Sequence, residues 1–206
     1  MIRNPNSAMF SIVKPTARKI DAFLRSQQDK SFTYPEAGLS RNGPLAASHP
    51  IAKHYRLVHR RFHLGQGRKI YQSAKNTFQR WGMFELGWVH IHPADTPMLV
   101  GSQVGIISHV MGIWSINVCR IIYIVDDDGP IVRFGFGYGT LPGHAIRGEE
   151  RMTIEFNRES EAVHYEIFSF STESQLIAKI TSFHLHSLQN RFARESSRRM
   201  QSLVRC

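Results

Sequence analysis

The sequence predicts an α+β fold in which a curved antiparallel sheet of about six or seven strands grips one long C-terminal helix. Three observations predict it. Period-two apolar patterns recur along the second half of the chain with only short turn signals between them, so the strands follow one another as hairpins. From Arg133 to Gly139 aromatic residues alternate with glycine, and a row of glycines lets a sheet bend sharply. From Thr172 to about Leu203 there is no Gly or Pro, and Ile177, Ile180, His184, Leu188 and Phe192 fall near one stripe, as on a long helix with one apolar face.

The bulk properties set limits. With 206 residues the chain is long enough for one domain with a sizeable core, read as a loose arm over 1–14 and a folded unit over 15–206. A hydrophobic fraction of 42% excludes disorder throughout. The formal net charge of +10 favours anionic partners. Cys119 and Cys206 form neither a CxxC pair nor a metal spacing, which fits a reducing, cytoplasmic setting. Thr96 to Cys119 carries no formal charge, but polar residues and glycines interrupt it; it reads as two strands around Met111-Gly112 rather than a membrane helix.

In chain order, Pro15 and Thr16 start a helix to about Gln28 with Ile20, Phe23 and Leu24 on one side. Ser31 to Pro50 is a long loop rich in Gly, Pro, Ser and Asn. Ala52 to Leu64 reads as a strand. Gly65-Gln66-Gly67 then opens a helix to about Trp81, and its free N–H groups beside Arg68 and Lys69 suit either an anion or a plain turn. Phe84 to His92 is the next strand, with His90 and His92 on one face and no third metal ligand nearby. Leu99 to Val110 and Gly112 to Val125 follow as long strands. Asp126 to Pro130 is a turn, the glycine-rich hairpin comes next, and Glu161 to Ser171 is the last strand.

The hairpin holds most of the candidate chemistry. Phe134, Phe136 and Tyr138 share one strand face, with Gly135, Gly137 and Gly139 on the other. After the turn at Pro142-Gly143 and His144, Glu150, Met152, Ile154 and Phe156 share a face and Glu149, Arg151, Thr153 and Glu155 take the opposite one. Two arrangements satisfy this pattern: a curved hairpin with its charges at the sheet rim, or a polar pocket lined by Tyr138, His144, Glu149 and Glu150. In the pocket, His144 beside the two carboxylates is an acid–base candidate. On the strand from Gly112, Trp114, Ile116, Val118, Arg120, Ile122 and Ile124 form one row. If that row is internal, Arg120 must be paired, and Glu150 is its natural partner; otherwise Arg120 leaves at the rim.

Strand, helix, antiparallel sheet and long helix in that order resemble the helix-grip fold of the START and Bet v 1 superfamily, which keeps a cavity between sheet and last helix. Narrower motifs resemble one family. LGQG at Leu64 to Gly67, the helix ending at Trp81, GIWSINVCRIIYIV from Gly112, FGFGYGTLPGH from Phe134 to His144, GEER from Gly148 and RFARES from Arg191 look like an uncharacterised bacterial and plant family, domain-of-unknown-function family nineteen-ninety. The resemblance covers nearly all of the chain after about Phe32 and implies no catalytic residue.

The function expected is a cavity for a small-molecule or lipid-like ligand, partly apolar and anionic. Trp114, Tyr138 and Tyr165 would supply walls, and Arg120 would hold the ligand acid or Glu150. The alternatives are an enzyme of cyclase, dehydratase or hydrolase type using His144, Glu149 and Glu150, and a basic surface for nucleic acid or acidic lipid built on Arg191, Arg194, Arg198 and Arg199. Neither a cofactor nor a metal is expected.

Overall fold

Thr16 begins the first helix because its hydroxyl accepts the Lys19 N–H at 3.3 Å, which satisfies one of the donors a helix start leaves free. In the computed structural model, which describes residues 9–173 and 182–205, this helix is α1 (Ala17–Ser26), and it buries Ile20, Phe23 and Leu24 as expected. Two further helices follow: α2 (Arg68–Gln79), entered through Gly67 at φ 92°, and α3 (Ser182–Val204).

Among the described residues eight strands make one sheet: β1 (Met9–Ser11), β2 (Arg56–Gln66), β3 (Val89–His92), β4 (Gln103–Val110), β5 (Ile113–Asp128), β6 (Ile131–Thr140), β7 (Ile146–Asn157) and β8 (Ala162–Glu173). The order across it is β2-β8-β7-β6-β5-β4-β3, with β1 paired to β5, and all the pairings are antiparallel. With α3 on its inner face this is a helix-grip arrangement, as the sequence predicts. The β4–β5 turn falls at Met111-Gly112, both at positive φ, as the sequence indicates.

Some boundaries differ from the sequence reading. Residues 9–11 of the expected loose arm are a strand, held by Met9, Phe10 and Ser11 opposite Ile116, Ser115 and Trp114. The strand expected at Ala52 is preceded by a single 3-10 turn over Pro50–Lys53. The one expected at Phe84 begins only at Val89, because Gly82–Phe84 forms a 3-10 turn and Gly87 sits at φ 77°. Thr172 and Glu173 still belong to β8, and Ile177 and Ile180 of the expected helical stripe lie outside the described residues.

Cross-strand register fixes the two faces. Ile121, Tyr138, Glu150 and Ser169 stand in one inner row, and Arg120, Gly139, Glu149 and Phe170 in the adjacent outer row. The inner face packs on α2 and α3: the Phe78 ring lies 5.4 Å from Phe136 and 6.1 Å from Tyr165, and Ala193 and Met200 of α3 are buried in the same core. The outer face carries α1 on Ile107, Ile116 and Val118. Beside it the 31–50 loop lays Tyr34 on Phe170 at 5.7 Å.

The glycine row makes room on the outer face. A Cβ at Gly137 would come within 2.2 Å of the Tyr123 ring, and one at Gly139 within 2.3 Å of the Tyr34 hydroxyl. These aromatic rings therefore lie against bare backbone, the close approach such a row permits.

Candidate functional site: a cavity under the last helix

Between the inner face and the start of α3 lies a cavity of about 720 Å³. Leu188 and Phe192 of α3 form its roof; Phe84, Trp88, Val89 and Ile106 form one side. Polar groups concentrate on the sheet. The Ser108 and Ser115 hydroxyls are 2.7 Å apart, Asn117 donates to Ser115 at 3.0 Å, and its Oδ1 accepts the Ala145 N–H at 3.1 Å. At the mouth the apolar side chains are open to solvent: Met111 is 83% exposed, Phe10 50% and Ile113 47%.

Glu150 and Tyr138, cross-strand partners on β7 and β6, stand at the wall. The Tyr138 hydroxyl donates to Glu150 Oε1 at 2.6 Å. Burial pushes the Glu150 carboxyl up to about 7, against the lowering effect of this hydrogen bond. Burial also pushes the Tyr138 hydroxyl well up, so it stays a donor at neutral pH. His144 lines the same cavity, and its Nδ1 accepts the Ile146 N–H at 3.1 Å. Burial pushes it down to about 4, which leaves a neutral imidazole at pH 7.

Glu149 borders the cavity too, but its carboxylate does not join them. Its carboxylate lies on the outer face, where Oε2 accepts the Tyr34 hydroxyl at 2.9 Å and the Gly38 N–H at 2.6 Å. Oε1 accepts the Ser40 N–H at 3.0 Å and the Ser40 hydroxyl. Every donor comes from the 31–50 loop, so Glu149 fastens that loop to the sheet.

Arg120 is likewise on the outer face, and the pair with Glu150 is not formed. Its row faces α1, and its guanidinium donates to three carbonyl oxygens at the end of that helix: Gln27 at 3.0 Å, Gln28 at 2.5 Å and Lys30 at 2.9 Å. An irregularity between Ile121 and Tyr123 shifts the register, so the row predicted from Trp114 to Ile124 changes side near Ile122. Trp114 lies outside with Arg120, stacked on His109 at 4.3 Å beneath Lys14. Tyr165 faces inward but is packed in the core under α3, its hydroxyl 2.9 Å from Ser196 Oγ. Of the expected site residues the structure therefore brings Tyr138, His144 and Glu150 to the cavity, and places Trp114, Arg120, Tyr165 and the Glu149 carboxylate elsewhere.

His90 and His92 also face outward, and His92 Nε2 meets Asp21 Oδ1 at 2.7 Å. Among the described residues no group of three or more His, Cys, Asp or Glu is gathered as for a metal ion, and no helix is long and apolar enough to cross a membrane.

The model of a family described as Domain of unknown function (DUF1990) matches residues 33–199. The chain belongs to this family. A UPF0548 protein of Dictyostelium discoideum is 30% identical over 208 residues, covering 95% of this chain and 96% of that protein. A UPF0548 protein of Deinococcus radiodurans is 29% identical over 210 residues, covering 96% and 100%. Among solved structures, a hypothetical protein of Helicobacter pylori superposes with a TM-score of 0.51 over 84% of this chain and 95% of that one, at 8% identity, which is a likeness of fold.

Sequence reasoning did not assign four apolar residues that line this cavity: Phe84, Trp88, Ile106 and Phe192. Phe84 and Trp88 were placed on a strand with the outward His90. The only sequence signal for the α3 wall was the apolar stripe through Leu188 and Phe192.

Proposed function

We propose that this DUF1990 protein binds one small, largely apolar molecule in the cavity between its sheet and α3. The observation that carries the reading is the cavity itself: about 720 Å³, walled by aromatic and aliphatic side chains, with the few fixed polar groups of Tyr138, Glu150 and Asn117 on one side. Pockets built this way gain affinity from apolar burial and orientation from a few hydrogen bonds. The exposed apolar mouth at Phe10, Met111 and Ile113 offers a route in.

The test is calorimetric titration with decanol of the wild type and of Ile106→Trp, whose indole would fill the space. Saturable binding with one site per chain, lost in Ile106→Trp with an unchanged circular dichroism spectrum, supports the reading. Equal binding in both, or none in the wild type, overturns it.

A catalytic use of the cavity is favoured by one observation, and it points to Glu150 rather than His144. A carboxyl poised near 7 in an apolar site is suited to moving a proton at neutral pH, whereas an imidazole held near 4 is a poor acid there. Catalytic roles for His144 and for Glu149, whose carboxylate is engaged on the other face, have no such support. The basic-surface alternative gains nothing from Arg191 or Arg199, which are tied to Glu195 at 2.8 Å and Glu85 at 2.6 Å.

A further inference from the structure

The carboxylates along β7 and β8 differ in one respect. On the outer face Glu155 is met by Arg61 at 3.0 Å and Arg133 at 2.8 Å. Glu166 is met by Arg151 at 2.7 Å and His59 at 2.9 Å. Glu149 has its four loop donors. Among the described residues Glu150 has the Tyr138 hydroxyl alone, a neutral donor on one oxygen. Among the described residues that line the cavity there is no lysine or arginine, and Arg120 is engaged on the opposite side of the sheet. A carboxylate facing a low-dielectric space without a counter-charge is costly, and an opposite charge brought into that space is correspondingly favoured.

We propose that the ligand is a lipophilic amine, bound with its ammonium group on Glu150 and its apolar tail against Phe84, Trp88, Phe192 and Leu188. This rests on the ligand-binding reading and specifies its ligand class. The ammonium would donate to the Glu150 oxygen that Tyr138 leaves free, a charge-assisted hydrogen bond. Ser169, opposite Glu150 on β8, offers a further acceptor at the same wall. The aromatic faces of Phe84 and Tyr138 suit a desolvated cation, while the Trp88 ring already carries the Arg191 guanidinium at 4.6 Å. The raised Glu150 carboxyl agrees with this, because it marks a site whose negative charge the protein leaves uncompensated. An alkyl carboxylate of equal length would meet the same wall as a like charge.

The experiment is calorimetric titration with decylamine, decanol and decanoate, each below its micelle concentration, for the wild type and Glu150→Gln. Decylamine is expected to bind about tenfold or more tighter than decanol, with decanoate the weakest. In Glu150→Gln the advantage of decylamine over decanol should fall about tenfold. An amine advantage that survives in Glu150→Gln, or decanoate binding as well as decylamine, overturns the proposal and leaves the ligand-binding reading standing. Binding of none of the three to the wild type removes both. The wild-type order is decisive by itself should Glu150→Gln fail to fold.

Discussion

Glu149 and Glu150 are adjacent in sequence and point to opposite faces of one sheet. The first carboxylate takes four hydrogen bonds from the loop laid on the outer face, and the second takes one from Tyr138 at the wall of the cavity. Strand alternation alone separates them. The consequence is a division of labour: one residue holds the fold, and its neighbour is left uncompensated where a ligand can reach it.

The role of Glu150 should show in stability against pH. Its carboxyl rises from the ordinary 4.5 to about 7 on folding. Below about pH 4.5 it is protonated in both states and costs nothing; as pH rises through about 7 the unfolded chain ionises first and stability is lost, up to about 3 kcal/mol. Glu150→Gln, measured by urea unfolding at about pH 4 and pH 8, should gain on the wild type at the higher pH only. His144 acts in the opposite direction, since its depressed value costs stability as pH falls from 6.5 towards about 4, and taking the difference between the two proteins cancels it. A constant difference across the range would contradict the account.

Glu149→Ala should destabilise the protein by about 2 to 4 kcal/mol, because it strands the Tyr34 hydroxyl and two backbone N–H groups of the loop. Urea unfolding reads this. A loss under about 1 kcal/mol would mean that the loop is held by its apolar contacts instead.

Gly137→Ala should cost about 1 to 3 kcal/mol, since the new methyl overlaps the Tyr123 ring. The cost should shrink when Tyr123→Ala is added, so the two changes are not additive. Simple additivity of the unfolding free energies would show that the ring is not what the glycine accommodates.

Arg120→Met should lower stability by about 1 to 3 kcal/mol through loss of the α1 carbonyl contacts and leave decanol affinity in the cavity unchanged. Weakened binding at unchanged stability would return Arg120 to the ligand site.

Much of the fold was legible because it depends on local pattern. The aromatic–glycine alternation from Phe134 to Gly139 gave both faces of β6 correctly, and the uninterrupted stretch after residue 172 announced the long helix, though its start was set too early. The split of Glu149 from Glu150 was also readable from alternation. What could not be read is non-local. The partners of Glu149 lie 109 to 115 residues away, and two of its donors are backbone groups of a loop without a sequence motif. Arg120 was misplaced because an apolar row looks the same whether it faces a cavity or a helix on the other side. The shift near Ile122, which moves part of that row across the sheet, has no proline or glycine to mark it.

The most direct measurement is native mass spectrometry of the chain incubated with decylamine or decanol, beside Ile106→Trp treated identically. The account predicts one bound molecule per wild-type chain and none in the variant. The bare chain mass in both proteins, or the same adduct in both, would contradict a binding cavity beneath α3.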